Sequence, residues 1–129
     1  ALKSQAERLG VADRVRFLGA VPHDRLPIVL NAADVFVLPT ASEGLANAWV
    51  EALACGTPVV TTPIPGATEL LTDPAWGAFA ARDKLAIAIE VSQMLERRPP
   101  RETVAATVAG FSWKANAAAL VDYWRGLAG

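Results

Sequence analysis

The sequence predicts an α/β domain: a Rossmann-like parallel sheet flanked by helices, with further helices towards the C-terminal end. Three observations carry this. Two short runs, Asp34-Val35-Phe36-Val37-Leu38-Pro39 and Val59-Val60-Thr61-Thr62, have the unbroken hydrophobicity of strands buried on both faces, which is the habit of parallel sheets. Between them lies a helix-length segment starting near Ala46 and closed by Cys55-Gly56-Thr57-Pro58, so the local order is strand, loop, helix, strand. Hydrophobic residues make up 53% of the chain, much of this Ala and Val, which suits a sheet covered by helices; 129 residues suffice for one domain, taken as 1–129, and not for two.

The elements follow in order. Leu2 to Gly10 reads as a helix with Leu2, Ala6 and Leu9 on one face and Gly10 ending it. Arg14 to Gly19 alternates and then turns apolar, as a strand does. Leu26 to Ala33 is a short helix, Pro27 being tolerable only in its first turn, with Leu26, Val29, Leu30 and Ala33 inward and Asn31 outward. Gly56 fits a left-handed helix end and Pro58 prevents continuation. Thr61 to Leu71 is a loop opening a short helix, Asp73 to Gly77 a turn, and Ala78-Phe79-Ala80 a short edge strand. Leu85 to Leu95 is an amphipathic helix with Leu85, Ile89, Met94 and Leu95 inward and Glu90 and Gln93 outward. Arg97 to Arg101 reads as a solvated basic helix end. Glu102 to Ala109 is helical, and Ser112 caps a last helix whose Leu120, Tyr123, Trp124 and Leu127 share a face.

The stretch Ser42-Glu43-Gly44-Leu45-Ala46-Asn47 concentrates the chemistry. It stands at the carboxyl end of a strand, where open α/β sheets bind ligands. The first N–H groups of the helix that follows lack intrahelical partners and favour an anion such as a phosphate. Gly44 allows close approach of backbone to a ligand. Glu51 lies about 7–8 Å along the axis from the helix start, at ~1.5 Å per residue. A nucleotide sugar across the helix mouth would place its diphosphate on the N–H groups, sugar hydroxyls near Glu43 and ribose hydroxyls near Glu51, carboxylates being strong acceptors for neighbouring hydroxyls. Taken singly, Glu43 also suits an acidic residue at a helix start, and Glu51 a solvated helix position. Thr40 and Ser42 offer polar contacts or a helix cap, and His23 and Arg25 read as residues of a first helical turn.

Glu43 and Glu51, with Ser-Glu-Gly before and Glu-Ala-Leu-Ala-Cys-Gly-Thr-Pro-Val-Val after, resemble the glutamate pair of the family 4 retaining glycosyltransferases. The resemblance spans Arg14 to Gly129 and is most specific from Asp34 to Glu69. It implies the C-terminal, donor-binding half of a two-domain (GT-B) enzyme. It implies Glu43 on the donor sugar, Glu51 on the ribose, the backbone of Gly44, Leu45 and Ala46 on the diphosphate, the Val21 backbone at the base, and Gly66 in a second glycine loop beside the sugar. It implies a nucleoside-diphosphate sugar as substrate and no cofactor or metal. It also implies a strand, a Gly-rich phosphate loop with an Arg and a Lys, and an N-terminal acceptor domain that these residues do not contain, so turnover by the 129 residues alone is not expected.

Scattered Lys and Arg with a formal net charge of -1 argue against a nucleic-acid footprint. One cysteine, Cys55, permits no internal disulfide, and no apolar run approaches the ~18 residues of a membrane span. The expected setting is cytoplasmic, at most peripheral at a membrane through the basic loop, and an exposed sheet edge would permit a homodimer. Three alternatives stay open: a module that binds a nucleotide or nucleotide sugar, or pairs with a separate partner chain, without turnover; an epimerase on the same architecture; and a remnant that binds nothing.

Overall fold

A computed structural model describes residues 1–127; the last two positions of the expected domain and of the resemblance, Ala128 and Gly129, lie outside the described residues. Seven helices and three strands follow one another: α1 (Leu2–Arg8), α2 (Leu26–Ala32), β1 (Phe36–Leu38), α3 (Asn47–Ala54), β2 (Val59–Thr61), α4 (Pro65–Leu70), β3 (Gly77–Phe79), α5 (Lys84–Arg97), α6 (Arg101–Ala106) and α7 (Trp113–Leu127). The strands form one parallel sheet in the order β1-β2-β3, with Phe36 opposite Val59 and Val59 opposite Gly77.

Each strand is followed by a helix, and the helices cover both faces of the sheet. Successive strand residues point to opposite faces. Val59 joins the larger core with Trp49, Leu53, Leu71 and Val104, and Val60 joins a smaller one with Ala78, Ala80 and Met94. Hence α2, α3, α4 and α6 lie on the first face and α5 on the second. β2 is buried along its whole length, as expected for a strand between two others. β1 is not: its Val37 is 39% exposed, because β1 is the edge of the sheet among the described residues.

Side-chain hydroxyls tie the sheet to its surroundings. The buried Thr57 donates to the Leu30 carbonyl at 2.6 Å, and Thr61 to that of Leu38 at 2.7 Å. Thr62 donates to the Thr40 carbonyl, which fixes the start of the loop after β1. A buried hydroxyl without such a partner would cost about 1–3 kcal/mol, so the register of β2 against β1 is set partly by these bonds.

Local signals act where they were read. Gly10 and Gly56 take φ values of +66° and +73° past the ends of α1 and α3. Pro27 stands in the first turn of α2. The Ser112 hydroxyl accepts from the N–H of Ala115 at 3.1 Å. Asp83 caps α5, accepting from Leu85 and Ala86 at 2.9 and 3.0 Å.

Several expectations change. Arg14 to Gly19 is not a strand: Arg14 closes the helical turn Ala12–Arg14, and Val15 is extended, but no described strand lies beside the segment, and strand structure is a property of pairing. In α1 only Ala6 is buried; its neighbour is the short turn Ala12–Arg14, too small to cover Leu2 and Leu9. The inward face of α5 is Ile87, Val91 and Met94, while Leu85 (66%), Ile89 and Leu95 stay exposed and Glu90 is half-buried. This helix carries two apolar stripes, and the sheet selects the one in phase with Met94. The shared face of Leu120, Tyr123, Trp124 and Leu127 in α7 is exposed throughout.

The basic stretch is also not freely solvated. Arg97 donates to the Pro74 carbonyl at 2.9 Å and Arg98 to that of Leu95 at 3.2 Å. Arg101 reaches the carbonyls of Asn31 (2.6 Å), Ala33 (3.3 Å) and Cys55 (3.4 Å), and Thr57 Oγ1 at 3.3 Å. One guanidinium thereby joins the ends of α2 and α3 to the start of α6. A Cβ on Gly56 would meet Arg101 Cβ at 2.8 Å, so that turn is packed as well as left-handed. Arg101→Met is expected to lower stability by about 1–3 kcal/mol, the range for lost charge-assisted bonds at a partly wet site. A urea midpoint equal to the parent's would show that water replaces the guanidinium without cost.

Candidate functional site

The loop after β1 runs from Pro39 to Ala46 and opens into α3 at the carboxyl end of the sheet. Its start is anchored by the Thr62–Thr40 bond, and Thr40 Oγ1 lies 3.4 Å from the Ser42 carbonyl. Glu43, Gly44 and Leu45 are exposed and Ala46 is half-buried. Ala46 stands at the N-cap position with extended backbone and no side-chain cap. Neither Thr40 nor Ser42 therefore caps α3, and its first N–H groups are left open to the loop side. The first turn of α3 also contains no acidic residue that would neutralise them.

The second glycine stands against the first. Gly66 is buried in the first turn of α4, directly after the loop that leaves β2. A Cβ built on Gly66 would overlap the Gly44 carbonyl and come within 2.9 Å of the Leu45 nitrogen. Gly44 itself faces open space: a Cβ there meets nothing within 4 Å. Gly66 thus supports the loop from behind, while Gly44 presents its own backbone outward. Glu69 is exposed on α4.

Glu51 is half-buried on the side of α3 next to α2. It lines a cavity of about 430 Å³ together with Asn47, Leu45, Phe111 and Trp113. It also lines a smaller one of about 180 Å³ with Leu26, Leu30 and Cys55. Val21 belongs to a different cavity, of about 420 Å³, with Leu18, Pro22, Arg25 and Ile28. The structure therefore brings together Gly44, Leu45, Ala46 and Gly66, adds Glu51 on the same helix, and sets Val21 apart. Glu43 is exposed and lines none of these three cavities. His23, expected as a residue of a first helical turn, lines both Glu51 cavities. Phe111 and Trp113 line the larger cavity with Asn47 of α3, and no local sequence signal reports that.

Cys55 is half-buried at the end of α3, and no helix among the described residues is long and apolar enough to cross a membrane. The arrangement offers open N–H groups for an anion, a carboxylate on the adjacent wall for hydroxyls, and mixed aromatic and amide surfaces for a planar group.

Residues 1–111 match the model of a family described as glycosyl transferases group 1. The chain is 36% identical, over 99% of its length, to a D-inositol 3-phosphate glycosyltransferase of Mycobacteroides abscessus, 30% of which it covers. It is 33% identical over 83% of its length to a 2-deoxystreptamine N-acetyl-D-glucosaminyltransferase of Streptomyces fradiae, covering 26% of that protein. It is 37% identical over 87% of its length to a GDP-mannose-dependent alpha-(1-6)-phosphatidylinositol monomannoside mannosyltransferase of Mycolicibacterium smegmatis, covering 31%. The chain thus spans about a third or less of the length of these relatives.

Proposed function

The chain belongs to the glycosyl transferases group 1 family, and from that membership we propose that its residues form the donor-binding part of a retaining glycosyltransferase. The donor is a nucleoside-diphosphate sugar, and the longer protein moves the sugar to an acceptor hydroxyl supplied on another domain or a partner chain. The observation that carries the reading is the uncapped start of α3, walled by Gly44 and Gly66, with Glu51 on the same helix. The diphosphate lies on the N–H groups of Leu45, Ala46 and the first turn. Glu43 accepts from the sugar hydroxyls and Glu51 from those of the ribose. Val21 remains the proposed contact of the base through its backbone.

In this reading the protein contributes positioning and electrostatic stabilisation of the departing diphosphate. No cofactor enters, because the nucleotide is the leaving group. A binding module without turnover would use the same contacts, and a transfer assay on the longer protein separates the two. The names of the relatives support transfer over epimerisation, and one of them names a GDP-sugar donor for itself.

The test is calorimetric titration of the chain with UDP, GDP and ADP and with their glucose forms. One base is expected to bind, and Glu51→Ala to weaken it at least tenfold, since a lost hydrogen bond to a charged group costs ~1.5 kcal/mol or more. Equal affinity in parent and variant would remove Glu51 from the ribose.

A further inference from the structure

We propose that His23 is a second contact to the ribose of the donor, facing Glu51; the inference rests on the donor-binding reading above. His23 and Glu51 are the two residues shared by the walls of the 430 Å³ and 180 Å³ cavities. They come from elements far apart in sequence: His23 opens the turn His23–Arg25 ahead of α2, and Glu51 sits in the middle of α3. The packing of α2 on α3 fixes their relation.

Among the described residues no hydrogen bond or ion pair uses the His23 side chain, and it does not close onto Glu51. A gap bounded by an imidazole and a carboxylate suits a pair of hydroxyls. Each hydroxyl has one hydrogen to donate and two lone pairs to fill. An ionised Glu51 only accepts, so it satisfies the hydrogens and leaves the lone pairs. An imidazole N–H supplies the missing donor. The two side chains together meet a demand that neither meets alone. The larger cavity has the volume of a small-molecule site. Phe111 and Trp113, the latter 91% exposed, also line this cavity.

His23 is the one histidine of the chain, so its ring Cε1–H gives a single proton resonance that needs no assignment. The experiment follows that resonance while the 129-residue chain is titrated with UDP, GDP and ADP, and with the 2′,3′-dideoxy form of whichever binds. The binding nucleotide is expected to move the resonance. His23→Ala is expected to weaken that nucleotide about three- to tenfold, as for one hydrogen bond, and to leave the dideoxy form at the parent's affinity. Equal losses for the ribo and dideoxy forms would give His23 a structural role and overturn the ribose contact. Glu51-dependent binding with a stationary resonance and an unaffected His23→Ala variant would overturn the inference and leave the donor site intact. A folded chain that binds none of the nucleotides would overturn both.

Discussion

Gly66→Ala is expected to destabilise the domain by about 1–3 kcal/mol, the cost of forcing a group into a filled site, and to reduce nucleotide binding more than tenfold. The added Cβ has only backbone before it, the Gly44 carbonyl and the Leu45 nitrogen. A flexible side chain could swing aside. This backbone cannot, because Thr62 holds the start of the loop and α3 holds its end. The strain therefore moves the N–H groups proposed to carry the diphosphate. Gly44→Ala is the control, since its Cβ enters open space and the fold should melt where the parent does. Gly44→Val should keep the fold and lose ligand. Thermal melting and nucleotide titration of the three variants decide it. Parent-like melting and binding by Gly66→Ala would show that the first turn of α4 is not in contact with the loop after β1.

Trp49→Ala should cost about 3–5 kcal/mol, as for a large aromatic side chain deleted from a core. Trp49 is 0% exposed and joins α3 to β2 and α6 within the larger core. A small domain has a total stability of about 5–15 kcal/mol, so this variant should be largely unfolded on warming. Among the described residues the buried indole N–H of Trp49 has no hydrogen-bond partner, and a buried N–H left unpaired costs about 1–3 kcal/mol. Trp49→Phe removes that N–H along with part of the ring, and the two effects offset to within about 1 kcal/mol. Denaturant unfolding separates the cases. A Phe variant as weak as the Ala variant would mean that the nitrogen finds a partner, such as a water.

Much of this architecture is legible in the sequence because it is local. Val59 to Thr61 is continuously apolar and becomes the central strand. Gly10 and Gly56 end helices because only glycine takes those φ values cheaply. The helix start expected near Ala46 lies one residue before Asn47, where α3 begins. The failures are of one kind. Val15 to Gly19 has strand composition and no partner to pair with. Leu85, Ile89, Met94 and Leu95 form a plausible face, but a helix with two stripes needs a sheet to choose between them. Arg101 sits in a run that looks solvated, and its acceptors lie 44 to 70 positions away in the chain.

The candidate site divides in the same way. The strand-loop-helix unit, the free helix start and the spacing of Glu43 and Glu51 are readable from the residues alone, since each depends on positions within a few turns of one another. Long-range packing sets the rest: Gly66 backs Gly44, His23 shares the Glu51 cavities, and Phe111 and Trp113 line one cavity with Asn47. Periodicity reports that a face is apolar or polar. What lies across from that face depends on the packing of segments distant in the chain.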